Sequence, residues 1–180
     1  APGDAINSIG DTDLKIKYGI TKPGSKIAVS GSILFGIPLG NDAGGSQKNL
    51  QTGDGEFNQL LQLDAGTGIQ LGGKTGLYAN AYAGFNNRTK GFSDEVRFGA
   101  EIGLGLNDYK WLFISRLNVL QSLENGSLPN QITSTSIFAN NTEYTSIGFE
   151  ANYTVNKKYG LSIAYATAVN GRIIVASPSY

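Results

Sequence analysis

Residues 95–106 read Glu95-Val96-Arg97-Phe98-Gly99-Ala100-Glu101-Ile102-Gly103-Leu104-Gly105-Leu106, and their order decides the fold. Val96, Phe98, Ala100, Ile102, Leu104 and Leu106 fall on one side of an extended chain; Glu95, Arg97, Glu101 and three glycines fall on the other. A strand sorts side chains in this way, whereas a helix would scatter both sets around its axis. Outward from this stretch the same period of two predicts strands at Asp13–Ile20, Lys26–Leu39, Phe57–Leu71 and Gly76–Phe85 on one side, and at Trp111–Ser122, Glu143–Val155 and Tyr159–Val169 on the other. Nowhere does an apolar i, i+3, i+4, i+7 pattern fit better. The chain is therefore read as all-β, a single domain over residues 1–180, with Pro178–Tyr180 as the start of a ninth strand. Trp111–Ser122 is the least tidy segment, because Arg116 and Asn118 share a face with Leu112, Ile114 and Leu120.

The connections carry a second signal. Short ones at Thr21–Ser25, Gly72–Thr75, Asn107–Lys110 and Asn156–Lys158 alternate with longer ones at Gly40–Glu56, Asn86–Asp94, Leu123–Thr142 and Asn170–Ser177. That rhythm belongs to an antiparallel up-and-down meander with every short turn at one end.

Composition narrows the chemistry. The 180 residues hold 14 Lys+Arg, 14 Asp+Glu, 25 Gly and neither Cys, His nor Met. Without Cys or His there is no Ser-His or Cys-His dyad, no thiolate or imidazole metal site and no disulfide framework. The expectation is a protein that is not an enzyme and has no cofactor or metal. A net charge of zero with no basic cluster argues against a nucleic-acid partner, since phosphate binding needs several Lys or Arg on one face. No apolar run is long enough for a transmembrane helix. Ala1-Pro2-Gly3-Asp4 lacks the basic and apolar regions of a signal peptide, which fits a mature chain or a fragment.

Alternation does not say which face is outside. A soluble barrel points its apolar face inward; an outer-membrane barrel points it to lipid. Three features favour the membrane. The strands run to about 10–14 residues, enough to cross about 25 Å when tilted. Short turns oppose long polar loops, as the periplasmic and extracellular ends of such barrels do. Aromatics sit at strand ends: Tyr109, Trp111 and Tyr159 beside short turns, and Phe35, Phe57, Phe85 and Phe92 near long loops, the positions of two interfacial girdles. Lys22, Lys26, Lys74, Lys110, Lys157 and Lys158 gather at the short turns, where solubility alone accounts for them.

Several stretches carry a resemblance to a known family: Gly10-Asp11-Thr12-Asp13-Leu14-Lys15-Ile16-Lys17-Tyr18, Thr52-Gly53-Asp54-Gly55, Tyr82-Ala83-Gly84-Phe85, Arg88-Thr89-Lys90-Gly91-Phe92-Ser93-Asp94-Glu95 and Gly171-Arg172. They resemble bacterial outer-membrane barrels of the phenol-degradation meta-pathway transporter type, distantly similar to the long-chain fatty acid channel, in a Bacteroidetes-like version. The resemblance implies a roughly twelve-stranded barrel in the outer membrane that passes small hydrophobic or aromatic molecules. About eight strands would be present here, the barrel being incomplete at both ends.

On this reading Lys15, Lys17, Asp64, Glu95, Arg97, Glu101, Arg116, Asn118 and Glu150 line the lumen. They form either a structural ladder of ion pairs or a pore wall whose mixed signs give weak ion preference. Arg97 is expected to pair across strands. The glycines of that face, Gly99, Gly103, Gly105, Gly148 and Gly160, relieve crowding or leave space. The loop carboxylates Asp42, Asp54 and Glu56 fit no calcium-loop spacing and read as solvated. The expected function is a passive channel for small molecules in the bacterial outer membrane, with lipid as its partner. The alternative is a barrel that does not transport but serves a larger assembly of envelope proteins.

Overall fold

A computed structural model describes residues 4–48, 50–128 and 138–173. Eight strands follow one another: β1 (Thr12–Gly19), β2 (Ala28–Ile37), β3 (Asn58–Gly72), β4 (Thr75–Arg88), β5 (Glu95–Leu106), β6 (Trp111–Ser122), β7 (Glu143–Thr154) and β8 (Gly160–Arg172). All are antiparallel neighbours in one sheet of order β1 to β8, and there is no α-helix among the described residues. The strands alternate in direction, so residues 20–27, 73–74, 107–110 and 155–159 share one end, but the expected alternation of short and long connections holds only in part, because the six residues 89–94 are fewer than the eight of 20–27. β4 runs to Arg88, which shortens the expected Asn86–Asp94 loop to residues 89–94. The segment expected to open a ninth strand lies outside the described residues.

The expected barrel is not closed. The backbone of each strand pairs only with the strands before and after it, so β1 and β8 keep free edges among the described residues.

Register decides which side chains share a face. One row runs Lys17, Ser32, Gln62, Gly84, Arg97, Leu120, Tyr144 from β1 to β7; the next inward row runs Asp64, Tyr82, Gly99, Asn118, Ser146. Opposite them lie rows such as Tyr18, Gly31, Leu63, Ala83, Phe98, Val119 and Val29, Ala65, Ala81, Ala100, Leu117, Ile147. β6 resolves in the same way, with Leu112, Ile114, Arg116, Asn118 and Leu120 all on the polar face.

Burial inverts the usual order. Ile163 is 73% exposed, Leu161 68%, Leu61 62% and Ile16 59%. Glu56, Asn86 and Ser93 are the largest fully buried side chains, and the buried hydrophobic residues are Leu60, Ile114, Leu120 and Ala139. Soluble proteins bury aliphatics and expose charges, because apolar area in water is unfavourable by about 25 cal/mol per Å². Here, among the described residues, the apolar face has no second layer to cover it.

Tyrosines close the glycine gaps on the polar face. Tyr78 stands opposite Gly103 and Tyr82 opposite Gly99, and a Cβ at either glycine would overlap the facing ring. Tyr109 turns back from the β5–β6 turn over Gly105, reaching this position with a φ of 61° that a bulky residue rarely adopts. These glycines therefore seat rings rather than leave space.

Gly103→Ala should displace Tyr78 and destabilise the sheet by roughly 1–3 kcal/mol, the usual effect of overpacking. Gly19→Ala, whose Cβ meets nothing within 4 Å, should be near neutral. Chemical unfolding of the refolded protein in detergent compares the two.

Candidate functional site

The polar face holds two groups of charges, one across its middle and one at the long-loop end. In the middle, register sets Glu101 opposite Arg116. The Arg116 guanidinium donates to Glu101 through Nε at 2.5 Å and to Glu150 through Nη1 at 2.6 Å. Tyr78 donates its hydroxyl to Glu101 at 2.7 Å, and Tyr82 donates to Asn118 at 2.9 Å. Lys17 lies 3.4 Å from Asp64, whose other oxygen accepts a bond from Gln62. Lys15, on the edge strand, has no ion pair among the described residues.

Of the lumen-lining candidates, Lys17 and Asp64 thus form one interstrand group, Asn118 with Tyr82 a second, and Arg116 with Glu101 and Glu150 a third. Arg97 does not pair across strands as expected. It folds along its own strand onto Glu95 at 2.7 Å, because residues i and i+2 share a face and Leu120, its opposite number on β6, offers no charge.

The second group centres on Arg88 at the end of β4. Its guanidinium touches three carboxylates: Glu56 at 2.6 Å, Glu95 at 2.8 Å and Asp54 at 3.3 Å. The Phe92 ring lies 4.4 Å beneath it. Glu56 also accepts the Thr89 amide at 3.0 Å, and its side chain is 1% exposed. Asn86 donates to Glu95 at 3.2 Å, while its own carbonyl oxygen is buried without a partner.

Around this centre the loops form a polar layer. Asn140 accepts the Ser93 amide and donates to the Leu128 carbonyl; Ser122 donates to Asn141. Asp11 accepts the amides of Gly40 and Asp54 and so ties the segment before β1 to the β2–β3 loop. A cavity of about 220 Å³, lined by Asp54, Asn58, Arg97, Thr142 and Tyr144 among others, lies where this layer meets the polar face.

Electrostatics follow from the count of charges. Burial pushes the carboxyls of Asp54 and Glu56 above their ordinary values, against the pull of Arg88. Burial also acts on Asp94, but bonds from Asn125, the Arg88 amide and Asn87 outweigh it and hold that carboxyl below its usual range. Among the described residues no group of three or more acidic side chains is arranged to hold a metal ion. The arrangement is suited to fixing loops and to presenting a wetted wall of paired charges.

Outward-facing aromatics mark both ends. Trp111 packs against Tyr153 at 4.3 Å and Tyr159 is 69% exposed at the short-turn end; Phe35 and Phe57 stack at 6.0 Å near the long loops. Tyr109 and Phe92 lie elsewhere, on Gly105 and under Arg88 respectively. The Arg88 centre was not visible in the sequence, where Asp54 and Glu56 read as solvated. The one available signal was an arginine closing an Asn86-Asn87-Arg88 run three positions after Phe85, the last apolar residue of the alternation. No family model matches the chain, and no curated protein or solved structure shows a significant match to it.

Arg88→Ala would leave three carboxylates without their cation, and should loosen the loop layer by about 3–5 kcal/mol, the usual effect of breaking a buried pair. Limited proteolysis of residues 38–57 reads this directly. A carboxyl raised by folding binds its proton more tightly in the folded state. The contribution of Asp54 and Glu56 is therefore full below their ordinary values of 3.8 and 4.5 and is lost as pH rises through the raised ones. Hydrogen exchange at the Thr89 amide should speed up across that window, and Glu56→Gln should flatten the change.

Proposed function

We propose that the sheet is part of the wall of an outer-membrane β-barrel that passes small molecules passively. One observation carries the reading: the exposed face is the apolar one and bears no charge from the Phe98 row to the Leu106–Trp111 row, while the polar face is the more buried and holds the ion pairs of that span. Water does not favour that inversion; lipid does. The ten residue steps from Val96 to Leu106 span about 33 Å along the strand, or about 25 Å across a membrane at a tilt near 40°. Closed spanning structures need every backbone group paired, so the free edges of β1 and β8 require further strands or a neighbour.

Transport follows from the polar face. Apart from Asp13 and Lys15 on the edge strand, its charges are of both signs and paired among the described residues, which keeps a wetted wall affordable and gives weak discrimination between ions. A second reading, a barrel that scaffolds a larger envelope assembly without transport, is favoured by the loop layer. Buried Glu56, Ser93, Asn140 and Asn141 make that end a fixed surface of the kind partners bind.

Purified protein should migrate differently on gels before and after heating, and should give discrete conductance steps in planar bilayers. Arg116→Ala leaves Glu101 and Glu150 unpaired, and should raise cation over anion permeability severalfold in reversal-potential measurements. Folded protein that stays silent in bilayers and co-purifies with stoichiometric partners would favour the scaffold instead.

A further inference from the structure

The chain carries no net charge, yet its charges are sorted along the strand axis. The four short connections hold Lys22, Lys26, Lys74, Lys110, Lys157 and Lys158 against one acid, Asp108. At the other end, residues 4–11, 38–57, 89–94 and 123–142 hold seven acids against Lys48 and Lys90. The strands between them balance, six charges of each sign. One end thus carries an excess of five positive charges and the other an excess of five negative.

All six lysines are exposed, and only Lys74 has a carboxylate partner among the described residues, Asp108 at 3.0 Å. Hydrogen bonds join the turns into a rim. The Asp108 amide donates to the Lys74 carbonyl at 3.0 Å, and the Thr154 amide to the Lys110 carbonyl at 2.8 Å. The Thr67 hydroxyl reaches the Lys26 carbonyl at 2.7 Å. This rim borders the outward aromatics, with the Lys110 ammonium 5.4 Å from the Tyr153 ring that packs on Trp111.

Resting on the membrane reading above, we propose that the short-turn rim is a docking surface for anionic phospholipid headgroups. Lysines needed only for solubility have no reason to exclude acids from their end of the molecule. Phosphate-bearing headgroups attract such a cluster within a Debye length of about 8–10 Å. A soluble polyanion would meet the same lysines, but it would have no use for the aromatic and apolar belt directly beside them, where headgroups give way to acyl chains. The sorting thereby also fixes orientation: the short turns seat in the leaflet richer in anionic phospholipid, and the acidic loop layer faces away from it.

Insertion of the whole chain into vesicles of phosphatidylcholine, with and without phosphatidylglycerol, tests this. The expected result is insertion roughly tenfold more efficient in the anionic vesicles, with the advantage lost at high salt. The advantage should also disappear in a combined variant with Lys22, Lys26, Lys110, Lys157 and Lys158 changed to Gln, and persist when Lys48 and Lys90 are changed instead. Equal insertion in both lipids, or an advantage that salt leaves intact, overturns the inference and leaves the membrane reading standing. Binding to a soluble polyphosphate with no gain on anionic vesicles reassigns the rim to a soluble partner and also overturns it. Failure to enter either kind of vesicle removes the membrane reading and this inference together.

Discussion

A sheet one layer thick must satisfy its backbone through neighbouring strands alone and must find some surroundings for its apolar side. In this protein the first requirement is met from β1 to β8 without interruption apart from register shifts near Gln70 and Thr145. The second is not met by any of the described residues, since no other element among them packs on the face that carries Leu61, Phe98 and Ile163. Everything else is arranged around that asymmetry. Charges avoid the apolar side, pair on the polar side, and collect in excess only where strands end.

The polar face acts as the interior, although it is built from groups that water also accommodates. Two devices let it pack. Rings of Tyr78, Tyr82 and Tyr109 fill the space over glycines on β5, and Arg116 bridges carboxylates from the strands on either side of it. Each device uses long side chains to reach across the strand spacing of about 4.8 Å. The loop layer extends the same logic beyond the strands, with Arg88 joining Glu56 from one connection, Glu95 from the next strand and Phe92 from the turn between.

Much of this order was legible in the sequence, because a period of two is a local property. The bounds of β5 and β6 are those read from alternation, and even the mixed face of β6 only needed its partners to be interpreted: Leu112, Ile114 and Leu120 lie among polar neighbours. What alternation does not carry is contact across distance. Arg97 has Glu95 two residues away and Leu120 opposite, a choice of partner that depends on register. Asp54 and Glu56 sit in a glycine-rich loop whose composition says solvent, and only the steps of 34 and 32 residues to Arg88 withdraw them from it, Asp54 half-buried and Glu56 buried. The open edges are likewise a property of the whole sheet that no single segment reveals.

Because backbone pairing links only consecutive strands, the sheet resembles a zipper more than a globule. Its strands meet through hairpins, so a pull on either end loads one row of backbone bonds at a time, and rupture of one hairpin does not undermine the next. Lys17 with Asp64 and Tyr82 with Asn118 each reach over an intervening strand, and the loop layer goes further. Asp11 with Gly40, Glu56 with Arg88 and Arg172 with Glu124 join segments that are far apart in sequence. Mechanically these links are clasps on a zipper, and they make the long-loop end the place where stepwise unravelling from either edge is arrested.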